Sequence, residues 1–123
     1  MNPMLVDAKE KNNAKRNLYE EGIKNKSFVL HHDGKLFKTA SFSDWKAALV
    51  DFYNPNGKDF YQNLVRDSMM STGAFGMMSD FSEAYPVENT HSSLEEAIKY
   101  HNEYPVKFHQ STMEIFDSLP NAP

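Results

Sequence analysis

The residue types best able to move a proton near neutral pH are the five histidines, and two of them fall in a helical pattern beside carboxylates. Leu94, Ala97, Ile98, His101 and Tyr104 recur at helical spacing, so His101 sits on an apolar face. Burial there would shift its pKa and make it the first candidate for a general acid or base. His109 follows across Pro105, with Glu103 beside the same proline. A chain break at Pro105 would let His109 approach His101. These two histidines are the catalytic candidates, although a histidine on an apolar face is more often a hydrogen-bonded core residue. His31 and His32 tempt a metal reading. Neighbours on a strand point to opposite sides of the sheet, so they cannot share one ion, and an exposed hairpin tip is expected instead.

Other chemistry finds little support. The sequence holds no phosphate-binding glycine loop, no GxSxG elbow and no HExxH pair. "DFYNPNGKDF" suggests a calcium loop, but Asp51, Asn54 and Asp59 do not keep the ligand spacing and the closing glutamate is missing. Glu95 and Glu96 are neighbouring carboxylates on a helix surface, with no sign of burial. Cysteine is absent, which excludes disulfides, thiol catalysis and thiolate metal sites. No metal and no cofactor is expected.

A second kind of candidate is the stretch "SMMSTGAFGMMSD", residues 68–80. Methionine is unbranched and polarizable, suited to irregular core gaps and to adaptable binding surfaces. The glycines between the two Met-Met pairs loosen the backbone, which favours a surface. Met70, Phe75, Met77, Met78 and Phe81 are therefore the expected partner-binding residues, with packing between core elements as the alternative.

The elements that must position these residues follow from periodicity and punctuation. "NPMLVDAKEKNNAKRNLYEEGIK" reads as an N-terminal helix within residues 1–24, with Asn2 as cap and Pro3 at its first position. Its apolar stripe is thin in the middle, so it is expected to pack by its ends or to project. Residues 27–41, "SFVLHHDGKLFKTAS", read as a β-hairpin around Asp33-Gly34, the favoured pair for a two-residue type I′ turn. In that register Leu30 faces Phe37, and Phe28, Leu30 and Phe37 share the buried face. Ser43 then caps a helix with Trp45, Ala48, Leu49, Phe52 and Tyr53 on one side. "NPNG" ends it, and a second helix from Lys58 carries Phe60, Tyr61, Leu64, Val65 and Met69 before a left-handed stop at Gly73. Beyond it, a capping box at Ser92-Glu95 or Ser93-Glu96 opens a helical hairpin broken at Pro105.

Length and composition bound the whole. The 123 residues, 40% hydrophobic and 13% aromatic, suit a single globular domain over 1–123. Net charge is −4, but residues 1–46 carry nine basic and six acidic side chains, net +3, and residues 47–123 carry four and eleven, net −7. The basic residues are interleaved with acidic ones and only Tyr19 lies among them, so nucleic acid is not the expected partner. No run approaches the roughly 18 apolar residues that span a bilayer, and no signal sequence opens the chain. A soluble cytoplasmic protein is expected. The pattern predicts an α+β domain, mostly helical, with the hairpin packed on helices. Without a catalytic motif, the leading expectation is a small protein-binding or regulatory module, an inhibitor, adaptor or immunity-type protein acting by occlusion. The alternative is a small enzyme or small-molecule binder using His101 and His109.

Overall fold

Successive apolar residues, not alternating ones, fill residues 47–50, and a strand covered on both faces requires that. In the computed structural model, which describes residues 1–7, 15–40, 46–88 and 90–120, Ala47, Ala48, Leu49 and Val50 are 0–1% exposed. The first three belong to β3 (Lys46–Leu49), the middle of a three-stranded antiparallel sheet between β1 (Met4–Val6) and β2 (Lys38–Ala40), and Val50 follows it. Met4 pairs with Leu49 and Lys38 with Ala48. The helix expected after Ser43 is thus replaced by a strand at Ala48 and Leu49. Two alanines favour a helix locally, but burial on both faces overrides propensity. Ser43 and Trp45 lie outside the described residues.

The N-terminal expectation is also corrected. Asn2 does not cap a helix: its Oδ1 accepts the Met4 N–H at 3.2 Å, and the chain runs into β1. Among the described residues of that stretch, the helix is α1 (Leu18–Lys24), where Asn17 Oδ1 accepts the Glu20 N–H.

At the hairpin tip the register differs by one residue from the type I′ expectation. Leu30 bridges Leu36, and the His31 N–H donates to Lys35 O at 2.7 Å. Of the two turn residues, only Gly34 has positive φ, at 81°. A type I turn followed by a left-handed glycine therefore replaces the two-residue loop, its i→i+3 bond running from Gly34 N–H to His31 O at 2.9 Å. Asp33 favours this form, because its Oδ1 accepts the Lys35 N–H at 3.0 Å. The slip turns Leu30 outward to 49% exposure, whereas Phe28 and Val29 are buried. Beyond Phe37 the second arm leaves this hairpin to pair with β3.

"NPNG" starts a helix instead of ending one. Asn54 Oδ1 accepts the Asn56 N–H at 3.0 Å and Pro55 takes the first position of α2 (Pro55–Ser68). Gly57 permits a close approach: a Cβ there would lie 2.2 Å from Asp51 O. Phe60, Tyr61, Leu64 and Val65 face the core as their spacing predicts, and a 3-10 turn, Met70–Thr72, ends at left-handed Gly73.

The C-terminal helical hairpin is instead one helix, α3 (Leu94–Asp117), with Pro105 inside it. Ser93 Oγ accepts the Glu96 N–H at 3.2 Å at its start. An interior proline costs about 3 kcal/mol. Tyr104 and Phe108, on either side of it, are fully buried, and their packing outweighs that cost. Phe52 meets Tyr61, Tyr104 and Phe108 with ring centroids 5.1–5.6 Å apart. Gln62 Nε2 donates to Ser111 O at 3.0 Å, joining α2 to α3.

Candidate active site

The glycine-interrupted segment after Gly73 reads from sequence as an irregular turn with a short helical piece near 79–84, and the structure gives it a strand-like contact instead. The Met1 N–H group donates to Met78 O, and the Asp80 N–H donates to Met1 O at 3.4 Å. One residue bonded to both neighbours of its opposite number is the parallel-ladder pattern. Residues 78–80 thus run alongside Met1 in the parallel sense. The run ends in a carboxylate. Asp80 is exposed, and its Oδ1 accepts the Phe81 N–H at 2.9 Å, which orients it. Phe81 has φ of 62°, in the left-handed region. An aromatic residue there is an outlier, costing on the order of 1–3 kcal/mol, and such residues cluster at functional sites. Glu83 follows, also exposed, while Ser82 and Tyr85 turn inward.

Tyr85, Asp51, Tyr53, His91 and Tyr100 line an aromatic cleft of about 740 Å3, together with residues from the end of α1 and the hairpin. The Asx turn after Val50 sets one wall: Asp51 Oδ1 accepts the Tyr53 N–H at 3.0 Å. Burial pushes the Asp51 carboxyl up from its usual value, against the N–H groups of Tyr53 and Asn54. Tyr53 OH donates to Tyr100 O at 2.8 Å, and the two rings lie 4.5 Å apart. His91 stacks on Tyr100 at 4.1 Å and 20°, with its Nε2 2.9 Å from Tyr85 OH. Burial raises the Tyr53 and Tyr85 phenols, so both stay protonated through the neutral range.

The histidines named from sequence are not brought together. Both lie on the unbroken α3, and eight residues of helix separate them by about 12 Å along its axis. His101 is half-buried, with Nδ1 2.6 Å from Tyr85 O. A carbonyl only accepts, so Nδ1 carries the proton and His101 acts as a donor that ties α3 to the turn after Phe81. His109 is exposed against Phe108.

The five residues named for a partner surface divide. Phe75 and Met78 are exposed, at 102% and 73%, while Met70 and Met77 pack partly against the core and Phe81 is half-buried in its strained turn. Sequence reasoning missed Asp80 and the ring cluster of Tyr53 with Tyr85, His91 and Tyr100, and weighed Asp51 only as a calcium ligand. The available signal was "GMMSDF", an apolar run closed by a carboxylate and followed, after turn residues, by a long helix, which is a βα pattern. Among the described residues no group of three or more acidic or histidine side chains is arranged to hold a metal ion. No helix among them is long and apolar enough to cross a membrane.

Residues 1–122 match the family described as the glycosyl hydrolases family 31 TIM-barrel domain. A curated sulfoquinovosidase from Agrobacterium fabrum is 30% identical over 79 residues, 63% of this chain and 12% of that protein. Among solved structures, a sulfoquinovosidase from E. rectale in complex with an aza-sugar inhibitor superposes with a TM-score of 0.76 at 24% identity. That match covers 95% of this chain and 16% of the other. A Flavobacterium johnsoniae dextranase complexed with glucose gives 0.74 at 19% identity, covering 98% and 15%. The chain therefore spans only 12–16% of the length of these relatives. The family match overturns the expectation of an occluding inhibitor, adaptor or immunity-type regulator. Of the methionines and aromatics that suggested one, Phe75 and Met78 are exposed and precede the Asp80 turn, in a chain matched to a TIM-barrel family.

Proposed function

The chain belongs to the glycosyl hydrolases family 31 TIM-barrel domain family, and we propose that it is the part of a glycoside-hydrolysing barrel that supplies one catalytic carboxylate, Asp80. The observation that carries this reading is the parallel contact of residues 78–80 with Met1, ending at an exposed aspartate before a left-handed phenylalanine. In (β/α)8 barrels the chemistry sits at the C-terminal ends of the parallel strands, and the parallel contact of residues 78–80 with Met1 supports such a place for Asp80. Glycoside hydrolysis uses a pair of carboxyl groups. One protonates the leaving oxygen, and the other either attacks the anomeric carbon or activates water.

Two further features support the assignment. The Phe81 N–H bond to Asp80 Oδ1 holds the carboxylate in one orientation, which a group aimed at a single carbon needs. The exposed Phe75 and Met78 lie on the same segment, where neighbouring strands of a complete barrel would cover them. The relatives named for sulfoquinovosides and dextran indicate the substrate class proposed here, a glycosidic bond to a pyranose.

The test is release of the aglycone from an aryl glycoside by the whole protein, with Asp80→Asn as the variant. Turnover should fall by on the order of 10³-fold or more, with the melting temperature unchanged. Wild-type turnover in Asp80→Asn would remove Asp80 from the mechanism.

A further inference from the structure

Neither Asp80 nor Phe81 lines the aromatic cleft of Asp51, Tyr53, His91 and Tyr100, and the chemistry of that cleft is specific. From this geometry we infer that the cleft is a second carbohydrate site, which holds a neutral pyranose ring against the Tyr100–His91 pair with its hydroxyls on the Asp51 carboxylate. The inference rests on the proposed function only for its choice of ligand class.

Three observations lead to it. The cleft, at about 740 Å3, falls within the roughly 300–1,000 Å3 of small-molecule sites, which are mostly apolar with a few fixed polar groups. Its apolar part comes from Ile23 and Leu36 together with the rings of Tyr53, His91 and Tyr100. A pyranose has a matching face of C–H groups and a rim of hydroxyls. Its polar part is built before any ligand arrives. Asp51 is held by the Tyr53 N–H at 3.0 Å, and Asn54 by its bonds to the Asn56 N–H at 3.0 Å and to Lys26 O at 3.0 Å. Tyr53 OH is already donated to Tyr100 O and Tyr85 OH is engaged with His91. The Asp51 carboxylate already accepts from the Tyr53 and Asn54 N–H groups, and its remaining lone pairs are the acceptors left to face sugar hydroxyls.

Sign of charge sets the selectivity. Asp51 is half-buried, and burial already disfavours its charge. Lys26 also lines the cleft but is exposed, where water screens its charge, so a second anion brought in meets the Asp51 charge with little compensation and a hexuronate is disfavoured against a neutral hexose.

The probes are methyl α-glucopyranoside and the methyl glycoside of glucuronic acid, titrated into the protein and followed by amide and aromatic NMR shifts. The expected result is saturable shifts at Tyr53, His91 and Tyr100 for the glucoside, with Kd on the order of 1–10 mM. The glucuronide should bind at least about fivefold more weakly. Tyr100→Ala and Asp51→Asn should each weaken the glucoside about fivefold or more. Should either variant fail to fold, intermolecular NOEs from the Tyr100 ring to sugar C–H protons in the unmodified protein give the same answer. Asp80→Asn should leave this binding in place, so the two readings fail separately. Absence of saturable shifts, shifts confined to residues around Asp80, or equal binding of both probes would overturn the inference.

Discussion

Residues 47–50 and residues 74–81 are both short apolar runs, yet one is wholly buried and the other carries the two most exposed large side chains on its stretch. Ala47 to Leu49 have strands on both sides, whereas Phe75 and Met78 belong to a segment whose described strand-like contact is to Met1. Apolar character is the same in both. What differs is the number of neighbours, and neighbours come from topology, not from local sequence. An exposed apolar run beside a strained turn and a carboxylate is therefore informative, because it marks a side of the fold built to be covered.

The comparison is broken most strongly by damaging the closed side. Phe108 is fully buried and its ring meets Phe52 and Tyr61 at 5.4 and 5.6 Å. Phe108→Ala should cost about 3–5 kcal/mol in chemical denaturation, since little around it can collapse into the space. A smaller loss comes from a single hydroxyl. Tyr104 OH donates to Val50 O at 2.6 Å in the fully buried core, where β3 meets α3. Tyr104→Phe keeps the ring and removes that donor, and should cost about 1–3 kcal/mol. A cost below about 0.5 kcal/mol would show that water or another donor replaces it.

The boundary between the two sides is tested by pH. Burial holds the Asp51 carboxyl above its usual 3.8, so the folded protein binds that proton more tightly than the unfolded chain. Stability then falls as pH rises from about 4 through the higher folded value, and the loss persists above it. Asp51→Asn keeps an oxygen to accept the Tyr53 N–H and removes the titration. Its melting temperature, compared with the parent's from about pH 3 to pH 7, should lack that part of the fall. Parallel profiles for the two proteins would show that Asp51 does not titrate differently on folding.

How much was legible in the sequence follows the same division. Short-range chemistry read true: the Ser93 cap, left-handed Gly73 and the apolar face of α2 each depend on residues within a few positions. Features that depend on partners far along the chain did not. Ala48 and Leu49 fit a helical period as well as a strand, and only pairing with Leu5 and Met4 from one side and Lys38 from the other decides between them. Asn54-Pro55 reads equally as an end or a beginning, and Pro105 as a break, until Tyr104 and Phe108 are seen to be buried. The candidate site was hidden for the same reason. Asp80 lies one position beyond the residue opposite Met1, and Tyr53 meets Tyr100 across 47 positions.

The smallest expected effect lies on the open side and is the sharpest test of the comparison. Phe75 is as exposed as a side chain can be, and Met78 is 73% exposed. Replacing both with serine removes apolar surface that the described residues leave in water, so each change should alter stability by no more than about 0.5 kcal/mol. Two buried apolar side chains lost together would instead cost several kcal/mol. The measurement is chemical denaturation of Phe75→Ser and Met78→Ser, singly and combined. Near-zero changes would keep this face open in the isolated chain, while in the whole protein the same pair should destabilise by about 2–5 kcal/mol if neighbouring barrel strands cover it. A large loss in the isolated chain would mean that Phe75 and Met78 already have a cover there, and the contrast with Ala47–Val50 would collapse.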